Sequence, residues 1–85
     1  MHAIAELDLV TTLNDISAQV LGESREVLLP AGTLGTVVLV HTVGNAAAAF
    51  EVEFHLGDLS YALATIPVEQ VARAASASPS PSQPE

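Results

Sequence analysis

Eighty-five residues, 49% of them apolar and none a cysteine, suffice for one small domain that neither disulfides nor a thiolate metal cluster can staple together. Ten acidic residues face two basic ones, Arg25 and Arg73, for a net charge of -8. That balance excludes the cationic footprint that displaces phosphate counterions, so nucleic acid and anionic membranes are not expected partners, whereas a basic protein is electrostatically favoured.

In chain order, Met1 to Glu6 has no basic segment leading into an apolar core, so no signal peptide is expected. No stretch approaches the ~20 consecutive apolar residues of a membrane span, and a cytoplasmic location is expected. Leu7 to Leu13 reads as a first strand on its valine and threonines, although Leu9, Leu13, Ile16 and Val20 also follow helical spacing. Asn14 is a good N-cap for a short helical turn. Ser17 to Leu29 then reads as a long loop, ending at the turn Pro30-Ala31-Gly32.

The middle is a strand run. Gly35 to Val43 is β-branched, and after Gly44 to Ala47, taken as a four-residue loop, Ala48 to Leu56 follows. There Phe50, Val52, Phe54 and Leu56 alternate with Glu51, Glu53 and His55, the period of two that marks a half-buried strand. Gly57-Asp58 suits a two-residue type II′ hairpin, which would return the chain along Leu59 to Ile66. In that register Leu56 faces Leu59, Phe54 faces Tyr61 and Val52 faces Leu63, while Leu39 lies opposite Val52 and Val37 opposite Phe54. Pro67 to Gln70 reads as a single helical turn and Val71-Ala72-Arg73 as a last short strand. Ser76 to Glu85, only Ser, Pro, Ala, Gln and Glu, cannot bury enough apolar surface to order itself and is expected to be disordered.

Strand, long loop, three-stranded meander, helical turn and short strand is the order of an SH3-like barrel. The expected architecture is therefore all-β: a small five-stranded SH3-like barrel over residues 1–75 with one short helical turn, and a disordered Pro/Ser tail over residues 76–85.

The run Pro30-Ala31-Gly32-Thr33-Leu34-Gly35-Thr36-Val37-Val38, with Phe50-Glu51-Val52-Glu53-Phe54, Tyr61-Ala62-Leu63 and Pro67-Val68-Glu69-Gln70-Val71, resembles a family of short bacterial and archaeal proteins, a domain of unknown function. Leu9-Val10, Leu13 and Asp15 mark the start of the resemblance, which covers about Leu7 to Arg73. The glycine-threonine-valine entry is also distantly similar to the barrel of nitrile hydratase β subunits and their accessory proteins. The resemblance implies an SH3-like fold and no known activity. It also implies a small companion encoded beside other genes, some for toxin-like nucleases, and hence an antitoxin, immunity or accessory role. The longer loop Ser17 to Leu29 and the tail depart from the pattern.

Chemistry finds no foothold in these residues. His2 sits at the terminus. His55 shares a face with Glu53 and Glu51, but residues two apart on a strand lie ~7 Å apart, too far for one zinc ion. His41 falls near Phe50 at the barrel end, where a partly buried, hydrogen-bonded role is expected. Ser60, Thr36 and Thr42 have no histidine with an orienting third group. Neither a cofactor nor a metal is expected, and the chain does not read as an enzyme.

The expected contact surface is the outward face of the meander. There the register sets Val38 and Val40 on one side of Glu51, Glu53 and His55, and Ala62 with Ala64 on the other. Acids would steer a basic protein partner and valines would anchor it. The competing expectation covers this face with Val20, Leu21, Val27 and Leu28 of the long loop. A third possibility is a self-assembling homo-oligomer joined at a strand edge.

Overall fold

The computed structural model describes residues 3–57 and 59–74, so the expected tail at 76–85, together with His2 and Asp58, lies outside the described residues. Seven antiparallel strands, not five, form one sheet: β1 (Leu9–Thr12), β2 (Ile16–Val20), β3 (Glu26–Leu29), β4 (Leu34–Val43), β5 (Ala46–His55), β6 (Tyr61–Pro67) and β7 (Val71–Arg73). Their order in the sheet is β3-β2-β6-β5-β4-β1-β7, curled into an open half-barrel. A 3₁₀ turn at Val68–Gln70, entered from Pro67, links β6 to β7 where one helical turn is expected.

The two strands missing from the sequence reading come from Ser17 to Leu29. That segment is a hairpin, not a loop: Ile16 pairs with Leu29 and Gln19 with Glu26, and β2 joins the sheet through Gln19–Leu63 and Val20–Ala62. Its strand character is visible in retrospect as Ile16, Ala18 and Val20 alternating with Ser17 and Gln19. Gly22, at a φ of 81°, provides the left-handed residue that the connecting turn needs. Leu13 and Asn14 form a bend between β1 and β2, not the start of a helical turn.

The core lies inside the curl. Val10, Ala18, Leu29, Val37, Phe50, Val52, Phe54, Ala62, Ile66 and Val71 are buried together. Thr12, the buried polar residue, is satisfied: its hydroxyl donates to the Pro30 carbonyl and accepts from the Thr33 N–H, both at 3.2 Å. The Asp15 carboxylate accepts the Ala31 N–H at 2.9 Å, so the turn before β4 is held from both sides. These bonds account for Asp15, Pro30 and Thr33 in the pattern that carries the family resemblance: they pin a turn.

Both register assignments of the meander are corrected. The β4–β5 loop has two residues, Gly44 and Asn45, so Val37 faces Val52 and Leu39 faces Glu51. The extra residue Val38 interrupts the pairing between these pairs as a bulge, after which Val40 faces Phe50. The β5–β6 connection spans residues 57–59, closed by Leu56 N–H to Ser60 O at 2.9 Å, with Gly57 and Leu59 both at positive φ. One added residue slides the strand by one, and every β6 side chain changes face. Phe54 therefore faces Ala62, Val52 faces Ala64 and Phe50 faces Ile66. Packing explains the choice. A small curled sheet has room for a large residue opposite a small one, whereas Phe54 against Tyr61 and Val52 against Leu63 would overfill it and bury a phenol hydroxyl.

Candidate functional site

The registers lay out the outward face row by row. Leu34, His55 and Tyr61 occupy adjacent positions on β4, β5 and β6, since His55 faces Tyr61 and the Thr36–Glu53 pair lies one step away. The next row crosses five strands as Leu9, Thr36, Glu53, Leu63 and Gln19. Leu39, Glu51 and Thr65 form the third, and His41 beside Ala49 the fourth. Leu9, Leu34, Leu39 and Tyr61 are 39–53% exposed, too much for core residues, and they flank the two glutamates. The β2–β3 hairpin does not cover this face: Ala18 and Leu29 point into the core, and Val27 packs against it.

The expected contact residues divide accordingly. Glu51, Glu53 and His55 stand on the outward face. Val38 is exposed, at the bulge. Val40 is turned inward against the core by that bulge, and Leu39 takes the outward position in its place. Ala62 is fully buried and belongs to the core, because the one-residue slide of β6 exchanged it with Tyr61. The residues that sequence reasoning missed are Leu9, Leu34, Leu39 and Tyr61. Tyr61 was recoverable, since a phenol with a polar tip fits a wet face better than a cramped core.

Two small constellations organise the face. Glu51 accepts the Thr65 hydroxyl at 2.5 Å and sits 3.3 Å from His41 Nε2, through the same oxygen. The Thr65 hydrogen bond, more than the nearby His41, holds the Glu51 carboxyl below the usual glutamate range, against an opposing effect of burial. The carboxylate lies between hydroxyl and imidazole, so the histidine does not contact the hydroxyl. His41 is exposed and pairs with Ala49, not with Phe50 as the sequence register implied.

The second constellation is a hollow of about 140 Å³ lined by Leu9, Leu34, Gly35, Thr36, Glu53, His55 and Tyr61. His55 and Tyr61 stack with ring centroids 4.9 Å apart and planes 18° from parallel, a two-ring wall on one side. Gly35 forms the floor and is buried: a Cβ there would come within 2.5 Å of Val52 Cγ1 and 2.8 Å of Phe54 Cε1. The bare backbone at this point lets β4 lie close over the core rings. Among the described residues no group of three His, Asp or Glu could hold a metal ion. Nor, among them, is any helix long and apolar enough to cross a membrane.

The comparisons with known proteins are empty. No protein-family model, curated protein or solved structure matches the chain. The function is therefore argued from the face itself.

Proposed function

We propose that this chain is an SH3-like barrel acting as a non-enzymatic protein-binding module, a small acidic companion that inhibits or assists a basic protein partner. The observation that carries the reading is the outward face of the meander, where Leu9, Leu34, Leu39 and Tyr61 stand exposed beside Glu51 and Glu53. Exposed apolar side chains rimmed by like charge form a contact surface that a partner of opposite charge both finds and desolvates. The SH3-like assignment is supported by the element order: β1, a hairpin, the β4–β5–β6 meander, a 3₁₀ turn and β7 beside β1. An antitoxin or immunity role and an enzyme-accessory role both fit, with the partner drawn from a neighbouring gene, in the cytoplasm.

A non-enzymatic reading is favoured by the order of the polar groups. A hydroxyl nucleophile needs a base against it and an acid behind the base, whereas here the carboxylate of Glu51 is the middle group. Capture of partners from the native cells by tagged wild-type chain and by Leu39→Asp, with mass spectrometry of the eluate, tests the proposal. A stoichiometric protein retained by wild type and lost with Leu39→Asp is expected. Equal recovery by both overturns the assignment of this face.

A second reading, self-assembly through a sheet edge, has one observation in its favour. The edge strand β3 carries Leu28, which is 73% exposed beside unpaired backbone groups.

A further inference from the structure

Both arginines of the chain are engaged. Arg25 Nε pairs with Glu23 at 2.7 Å, and Arg73 with Asp8 at 3.1 Å. Glu53, half-buried in the wall of the hollow, has neither an ion pair nor a side-chain hydrogen bond among the described residues, and the chain has no lysine to offer it. A carboxylate in that position, beside two stacked rings and two leucines, is half of a recognition site whose other half is cationic. We propose that the hollow is a pocket for an arginine side chain of the protein partner.

Each wall matches one part of that side chain. The Glu53 carboxylate would take the guanidinium through paired N–H···O bonds, which a planar fork makes and a lysine ammonium does not. The ring pair His55–Tyr61 offers a π surface for the guanidinium plane, and arginine is the commoner cation over aromatic faces. Leu9 and Leu34, 39% and 53% exposed, would line the aliphatic stem. The Thr36 hydroxyl provides a further acceptor at the rim. The hollow's volume of about 140 Å³ suits one such side chain and is too small for a folded element. The net charge of -8 draws a cationic segment toward it before contact.

This assignment rests on the protein-binding reading, narrowing it to one residue type, and the test separates the two. Three short acetylated and amidated glycine peptides, each carrying one central arginine, lysine or citrulline, are titrated at low salt into the isotopically labelled full chain and followed by amide NMR. The arginine peptide should shift the amides of Leu9, Leu34, Thr36, Glu53, His55 and Tyr61. The lysine peptide should bind severalfold more weakly, and the neutral citrulline peptide should shift nothing. Glu53→Gln should weaken the arginine peptide about tenfold or more, as loss of a charge-assisted pair requires. Tyr61→Ala, at a surface position, should weaken it severalfold with the rest of the spectrum preserved. No shifts with arginine, or equal shifts with citrulline, overturns the pocket. If a captured partner is then lost with Leu39→Asp but retained by Glu53→Gln, the pocket falls and the protein-binding reading stands. If both variants retain it, both fall.

Discussion

The Thr65 hydroxyl donates to the Glu51 carboxylate across the β5–β6 ladder at 2.5 Å, and this bond lowers the carboxyl's proton affinity below that of an ordinary glutamate. A carboxyl whose folded pKa is depressed contributes stability that is complete above its unfolded pKa. That contribution is lost as the pH falls through the folded value. Thr65→Val should therefore be less stable than wild type at neutral pH, by about 1 kcal/mol or less for so accessible a pair. The gap should close on acidification below the glutamate range. Urea unfolding of both proteins from neutral to acid pH checks this, and a gap constant with pH would detach the effect from Glu51.

Gly35 admits no side chain without movement. A methyl group there overlaps Val52 Cγ1 and the ring of Phe54, both at fixed core positions. Gly35→Ala should cost about 1–3 kcal/mol, the usual range for overpacking. Adding Val52→Ala removes the nearer clash, so the double variant should lose less than the sum of the two single effects, measured by chemical denaturation.

The β5–β6 register can be read from two neighbouring substitutions. Ala62 is fully buried against Phe54, whereas Tyr61 is 40% exposed on the opposite face. Ala62→Lys should destabilise by about 3 kcal/mol or more, or unfold the chain, because it buries an unpaired ammonium. Tyr61→Lys should stay within about 1 kcal/mol of wild type. A two-residue Gly57-Asp58 hairpin would reverse the two results.

The edge strand β3 decides between a binding module and a self-assembling protein. With each copy at -8, the binding-module reading expects a monomer by multi-angle light scattering across concentration and salt. A concentration-dependent dimer that Leu28→Lys dissolves would instead favour assembly through this edge.

The alternation in β5 alone identified its buried set, Phe50, Val52 and Phe54, and all three are core residues. Val71 to Arg73 and the turn before it were equally legible, because Pro67 ends β6 and a short β-branched segment follows. The β2–β3 hairpin was not, since four- and five-residue strands carry too few periods to stand out from a loop.

The sequence by itself determined that this is an all-β chain with an acidic outward face. Period-two burial and charge are local properties, and Glu51, Glu53 and His55 had to share a side of β5 wherever its neighbours fell. Which apolar residues join them was decided only by the tertiary structure. A bulge at Val38 and one extra residue in the 57–59 turn each shift a strand by a single position, and a shift of one exchanges the two faces. That exchange placed Leu39 outside and Val40 inside, and put Tyr61 beside His55 with Ala62 beneath Phe54. The volume available inside the curled sheet sets that outcome, and volume belongs to the assembled core.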